Sequence, residues 1–267
     1  MSTDHITGQK KGHIFHITLN RPEKRNAVSF EMMEQLAGMV ESLIADPEVR
    51  VIILKGAGPI FSSGIDLRSL ATLVGRYQND GGGALVRADL HKYQGFFSRL
   101  ELIEIPIICA MHSKAFGVSM EIALACDIRV MSEDCLWTMP EVKFGSICDL
   151  GGTSRLSRVI GTGRAMEVLM TGDKFTAQQA LEWGLVNYVF PADRLFEEAE
   201  NLAAKIAANA PLAVGATKNV IKCGYSLDLR AQLDLECYQQ NILLRSQDFK
   251  EAIAAVMEKR PPEWKRK

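Results

Sequence analysis

The chain opens on a polar stretch. Its first patterned segment, residues 13–20, alternates apolar and polar positions as a half-buried strand does, and Arg21-Pro22 ends it. From Ser29, a good N-cap, Met32, Met33, Leu36, Val40, Leu43 and Ile44 recur at helical spacing and predict a helix over 29–45, closed by Asp46-Pro47. Val51-Ile52-Ile53-Leu54-Lys55 is an apolar run of strand length, and Gly56-Ala57-Gly58-Pro59 turns the chain after it. The pattern weakens over 68–90, where Asn79-Asp80-Gly81-Gly82-Gly83 reads as a flexible segment suited to a lid. An amphipathic helix over 90–104 leads to a second buried strand over 107–111, and an apolar helix over 119–126 follows a turn at Gly117. Strands over 127–130 and 135–138, helices over 153–160, 164–170 and 176–183, and a last strand over 186–189 complete the alternation. Only helices follow, over 192–209, 212–223, 227–244 and 247–257. Strands alternating with helices predict an α/β core over 1–190, with a helical region over 191–267.

Composition narrows the class. With 267 residues, 47% of them hydrophobic, the chain has the material for a large core. A formal net charge of −1 gives no global reason to expect nucleic acid or an anionic membrane as partner, and only the tail from Lys259 to Lys267 is basic, a solvated end by default. The six cysteines form no C-x-x-C pair and sit mostly in apolar runs, so they read as reduced thiols, not a disulfide framework. No apolar run approaches the roughly 20 residues that span a bilayer, and Met1 to Gly12 carries no signal-peptide core. The cytoplasm is the expected compartment, or an organellar matrix if a presequence has been removed.

The chemistry on offer is carboxylate and backbone chemistry. Phosphate-loop and serine-elbow motifs are absent, and Gly161-Thr162-Gly163 lies between helices, where it is no dinucleotide fingerprint. His13 and His16, three apart on a strand, point to opposite faces, so no metal is expected. A strand running through Gly117 into a helix aims backbone N–H groups at whatever lies above the turn, a setting that favours negative charge. The loop Phe61-Ser62-Ser63-Gly64-Ile65-Asp66-Leu67 supplies a second backbone donor facing the first. Glu121 stands in the first turn of that helix, where the dipole favours its ionised form. Glu141, among Trp137, Met139, Val142 and Phe144, would be protonated if buried there. Two carboxyls pushed apart in this way suit a paired base and acid, with Asp149 a third candidate.

These elements resemble the crotonase (enoyl-CoA hydratase/isomerase) family over essentially the whole chain. The likeness is carried by Asn20-Arg21-Pro22-Glu23-Lys24-Arg25-Asn26-Ala27, the Phe61-to-Leu67 loop, Pro106 through Asp127, Pro140-Glu141, Gly151-Gly152-Thr153-Ser154-Arg155-Leu156 and Ala180-Leu181-Glu182-Trp183-Gly184-Leu185-Val186. The resemblance implies a crotonase-like spiral of ββα units, a C-terminal helical layer that builds homotrimers or hexamers, and an acyl-CoA thioester as substrate, with no cofactor beyond the coenzyme A it carries. It implies an oxyanion hole from the N–H groups of Ile65 and Val118, each donor worth about 3–4 kcal/mol in comparable systems, with Ser63, Gly64, Asp66, Leu67 and Gly117 about the substrate. Ile65, Leu67, Leu70, Leu73, Phe144 and Ile147 are expected around the acyl chain or adenine, and basic side chains of the tail and lid at the CoA phosphates.

In the hydratases of the family two glutamates act on a trans-2-enoyl-CoA. They map to Glu121, here expected as base, and Glu141, expected as acid, giving a 3-hydroxyacyl-CoA. Two departures matter. Gly117-Val118-Ser119 replaces a glycine triplet, and Asp149 stands where hydratases carry glycine. The dienoyl-CoA isomerases have an aspartate there, paired with the glutamate at 141, though with aspartate at 121. The Ser-Gly-Ile-Asp-Leu loop and Gln247-Asp248 also look like that branch. Hydration of a 2-enoyl-CoA is the first expectation and isomerisation of a 3,5-dienoyl-CoA to the 2,4-isomer the second, followed by hydration of a ring or dienoyl thioester. The isomerase expectation requires Asp149 to lie against the acyl chain, and pairing of Asp149 with Arg155 or Arg158 would weaken it. A non-catalytic acyl-CoA or RNA-binding relative is the remaining class, disfavoured by the two glutamates and by the charge balance.

Overall fold

The two strongest apolar runs become central strands because both of their faces are covered. In a computed structural model, which describes residues 5–78 and 83–267, the chain order begins with β1 (Ile6–Lys11), β2 (Ile14–Leu19), α1 (Phe30–Ser42), β3 (Val51–Gly56), α2 (Leu67–Arg76) and α3 (Ala84–Leu102). It continues with β4 (Ile107–Met111), β5 (Lys114–Phe116), α4 (Val118–Ala125), β6 (Ile128–Ser132), β7 (Leu136–Thr138) and α5 (Gly152–Thr171). Then come β8 (Phe175–Thr176), α6 (Ala177–Glu182), β9 (Tyr188–Phe190), α7 (Leu195–Ala207), α8 (Pro211–Gly224), α9 (Leu229–Leu243) and α10 (Gln247–Glu258). One sheet has the order β1-β2-β3-β4-β6-β9, parallel except for the antiparallel β1–β2 hairpin. A smaller sheet, β5-β7-β8, stands beside it. The expected α/β architecture is present.

The period-2 alternation of a strand divides β3 and β4 between two cores. Ile52, Leu54, Ile107, Cys109 and Met111 pack with Met32, Met33, Leu36, Phe97 and Leu100 from α1 and α3, and with α4. Val51, Ile53, Ile108 and Ala110 face the other way, onto Leu195, Ala199, Ala203 and Ala207 of α7. Ser29 Oγ caps α1 by accepting from the Met32 N–H, as its residue type predicted. Gly161 (φ 78°) breaks α5 where the sequence predicted two helices. The polar strand β1 was not predicted, and α3 begins earlier than expected. The lid segment lies outside the described residues except for Gly83, which precedes α3.

Two expectations are corrected here. The basic tail is docked and not a free end, although Lys259, Arg260, Lys265 and Lys267 stay exposed: the buried Asp248 carboxylate accepts from the Lys265 and Arg266 N–H groups, Trp264 Nε1 donates to Ala208 O, and Arg266 donates to Asp46 O. Asp46 lies before β3, at the end of the sheet opposite the loops that leave β3 and β4, so the tail does not face those loops within the subunit. Leu73, expected beside the ligand, is buried in the main core at 7% exposure. No helix among the described residues is long and apolar enough to cross a membrane, and no cluster of side chains among them is suited to a metal ion.

Candidate active site

Two loops that leave the same edge of the sheet meet. The Phe61-to-Leu67 loop follows β3, and Gly117 joins β5 to α4. They are stitched by a bridge between Ser62 and Ala115, with Phe61 and Ser62 N–H groups donating to His112 O and Lys114 O. Contact is so close that a Cβ on Gly64 (φ 96°) would lie 2.9 Å from Phe116 O. Asn26, fully buried, holds the first loop through Nδ2 to Ala57 O (2.7 Å), Ile60 O (3.0 Å) and Phe61 O (3.0 Å). Among the described residues, neither the Ile65 nor the Val118 N–H is taken up by a protein acceptor. Two amides at the meeting point of the loops are therefore free to donate.

Three carboxyls surround this point. Glu121, in the first turn of α4, is 2% exposed and its Oε1 accepts from the Gly152 N–H (2.8 Å) and the Leu150 N–H (3.1 Å). A Cβ on Gly152 would lie 2.6 Å from that oxygen, so only glycine lets the start of α5 come so near. Burial pushes the Glu121 carboxyl up to about 8, with Glu141 and Asp149 adding repulsion and the two N–H donors opposing. Glu141 opens a 3-10 turn, Glu141–Phe144, that follows Pro140. Its Oε1 hangs over Gly117, 2.8 Å from where a Cβ would be, and its Oε2 accepts from the Cys148 thiol at 3.1 Å. Burial raises the Glu141 carboxyl above its ordinary range, Asp149 adds to this, and the thiol hydrogen bond draws it back. Asp149 is half-buried, and burial raises its carboxyl too.

Burial and the helix dipole act in opposite directions on Glu121. The dipole of α4 was expected to favour the ionised form of Glu121; removal from water acts the other way and raises its carboxyl to about 8, and the Gly152 and Leu150 N–H groups offset this only in part. Glu141 is only partly buried, because Phe144 and Ile147 beside it are exposed at 74% and 69%. Asp149 is not paired with either arginine named for it. Arg155 turns to Glu101 (2.6 Å), Ser98 Oγ and Leu150 O (3.0 Å), and Arg158 lies over the Tyr225 ring, so neither arginine holds the aspartate.

A family model described as enoyl-CoA hydratase/isomerase matches residues 9–267. The chain belongs to this family. It is an enzyme of the hydratase/isomerase class, and the crotonase-like fold agrees with a solved enoyl-CoA hydratase from Bacillus anthracis: TM-score 0.91, 33% identity, covering 99% of this chain and 100% of that one. It is 34% identical to a short-chain-enoyl-CoA hydratase of Clostridium acetobutylicum over 264 residues, 97% of each chain. It is equally, 34%, identical to the peroxisomal Delta(3,5)-Delta(2,4)-dienoyl-CoA isomerase of Arabidopsis thaliana over 256 residues, 94% of this chain and 92% of that one.

Against the residues expected of the family, the structure brings Gly64, Ile65, Gly117, Val118, Glu121, Glu141 and Asp149 to one place. Asp66 is otherwise engaged. Its Oδ1 caps α2 through the Arg68 and Ser69 N–H groups, and its Oδ2 takes Arg21 Nη1 at 2.5 Å, so it shapes the loop from behind. Ser63 is exposed and Leu67 is 65% exposed, at the rim. His112 is a turn residue, its ring against Gly58 O. Asn26 and Cys148 went unremarked as supports. Asn26 had a weak signal, a polar residue closing a turn motif, whereas nothing in the sequence marks Cys148 among six cysteines.

Proposed function

We propose that this enzyme adds water across the 2,3 double bond of a 2-enoyl-CoA. The observation that carries the reading is the convergence of one fully buried and one less buried glutamate on two unpaired backbone N–H groups. The thioester oxygen lies between the Ile65 and Val118 amides, where negative charge develops as the double bond is attacked. Glu141 takes a proton from water as its oxygen bonds to C3, and Glu121 delivers its proton to C2. The product is a 3-hydroxyacyl-CoA, and the two carboxyls return to their starting states by exchange with solvent. The roles follow the burial of the two groups and invert those expected from the helix dipole. Coenzyme A enters as part of the substrate, and the chemistry as written needs no further group.

A second reading rests on Asp149. Free of both neighbouring arginines and close enough to raise the Glu121 and Glu141 carboxyls, it can trade a proton with Glu141 along a 3,5-dienoyl chain. Glu141 is the base in both readings, and the partner acid distinguishes them. The test is a spectrophotometric assay with crotonyl-CoA and with a 3,5-dienoyl-CoA. Hydration predicts loss of enoyl-thioester absorbance, reduced at least about 100-fold in Glu121→Gln and retained in Asp149→Gly. A conjugated-dienoyl band that grows in the wild type and is lost in Asp149→Gly would replace the first reading with the second.

Assembly belongs to the same proposal. Helix α9 has no buried residue, yet it carries Leu229, Leu233, Tyr238 and Ile242 at 49–72% exposure. Ile253, Val256 and Met257 of α10 add to this apolar surface. The chain is proposed to form a homotrimer or a dimer of trimers through these helices, and a monomeric mass by sedimentation would exclude it.

A further inference from the structure

Cys148 lies in the loop between the Glu141 turn and α5 and is 4% exposed. Its carbonyl accepts from both the Thr153 N–H (3.2 Å) and Thr153 Oγ1 (3.1 Å), which ties the residue to the first turn of α5. The same turn, through the Gly152 and Leu150 N–H groups, holds Glu121. The thiol contacts one oxygen of Glu141, Oε2 at 3.1 Å, while the other, Oε1, overhangs the glycine turn at Gly117.

We infer that Cys148 is a positioning residue for Glu141: its S–H occupies Oε2 and leaves Oε1 as the oxygen that meets the reacting water or chain. The inference rests on the reading of Glu141 as the base. Three features make the thiol suited to this. A buried Sγ flanked by three carboxyls does not ionise, so it remains a donor across the working pH range. Donation to a carboxylate favours the charged form, which a base requires. And the donor is anchored through the backbone, so it fixes where the carboxylate points as well as its charge. The groups that face Glu141 are Glu121 from α4, Asp149 from the loop and Cys148 itself. Lys143 of the same turn is held by Asp173, and Arg155 of α5 by Glu101, so the neighbouring acids are offset by the thiol first and by Glu141's own backbone N–H second.

The test combines kinetics with infrared spectroscopy on the full chain. In the wild-type-minus-Cys148→Ser difference spectrum, one S–H stretching band is expected at a lowered, hydrogen-bonded frequency, moving to the free frequency in Glu141→Ala. In Cys148→Ala, kcat on whichever thioester the wild type turns over should fall about tenfold while KM stays within about twofold. The acid limb of kcat/KM should move up by about half to one pH unit, as for the loss of one hydrogen bond to the charged form. Cys148→Ser, which keeps a donor, should restore both. An S–H band indifferent to Glu141→Ala, an unchanged pH profile in Cys148→Ala, or equal losses in the serine and alanine variants would each overturn the inference. A wild type that turns over neither thioester would sink the proposed function alone. The S–H band and the infrared titration of the Glu141 carboxyl, compared between wild type and Cys148→Ser, would then still decide whether the thiol holds the carboxylate.

Discussion

At the scale of single residues, the site turns on how much water each carboxyl has lost. Glu121 has the larger penalty, and this has a consequence for stability. Its folded-state value, about 8, lies above its ordinary value of 4.5, so the native state binds the proton more tightly than the unfolded chain. Stability therefore falls as pH rises from about 4.5 to about 8 and stays reduced above that, by an amount on the order of a few kcal/mol. Glu121→Gln keeps the carbonyl acceptor for the Gly152 N–H and removes the titration. Relative to their difference near pH 4.5, the melting temperatures of the two proteins should diverge progressively up to about pH 8, in favour of the glutamine variant, and stay apart above it. Parallel curves from pH 5 to 9 would show that Glu121 is ionised throughout. The three acids were legible in the sequence as candidates because of their places after glycine turns and beside Pro140. Their protonation was not, because the groups that exclude water from Glu121, namely Met139, Cys148 and Gly152, lie far from it in the chain.

At the scale of elements, the geometry depends on one backbone conformation. Gly117 has φ 54° and ψ −124°, a combination open in practice only to glycine, and a Cβ there would meet Glu141 Oε1 at 2.8 Å. Gly117→Ala is expected to cost about 1–3 kcal/mol of stability and to lower turnover at least about 100-fold by displacing the base. Gly145→Ala is the control. It is also left-handed, φ 72°, but has nothing within 4 Å, so it should lose about 1 kcal/mol and keep its turnover. Urea unfolding and the thioester assay separate the two, and equal kinetic loss in both would mean that strain, not the carboxylate contact, matters at Gly117. The same contrast explains which elements could be read from sequence. Strands β3 and β4 announce themselves because both faces are buried, and α1 because a capping serine precedes an apolar stripe. Strand β1, with its polar run Thr7-Gly8-Gln9-Lys10-Lys11, is an edge strand held by pairing to β2, a long-range cause no local pattern carries. The first turns of α3, from Ala84 to Leu90, are exposed or partly exposed and contribute no buried residue, so no core-facing stripe marks their helicity.

At the scale of the molecule, the C-terminal helices are joined to the sheet by a buried ion pair. Lys218 of α8 places Nζ 2.8 Å from Asp127 Oδ2 and donates to Leu100 O (3.0 Å) and Ile105 O (3.1 Å). Asp127, which lies between α4 and β6, also accepts from the Ile107 N–H at the start of β4 and faces Lys222 at 3.5 Å. One lysine thus closes α8 onto the carbonyl ends of α3 and onto the junction that carries α4, and with it Glu121. Burial lowers the Lys218 ammonium and Asp127 offsets this in part, so the lysine's charge is tolerated through the aspartate. Removing one partner alone should be worse than removing both. Lys218→Met leaves Asp127 under-compensated in the interior and is expected to cost about 3 kcal/mol. Lys218→Met with Asp127→Asn keeps an acceptor for the Ile107 N–H, removes both charges, and is expected to recover more than half of that loss. Denaturation of the two single variants and the double variant completes the cycle. Losses that simply add would show that the pair is screened by solvent and that α8–α10 are held by apolar packing. A double variant more stable than Lys218→Met would identify the pair as what registers the C-terminal helices against the strand-to-helix turn of the site.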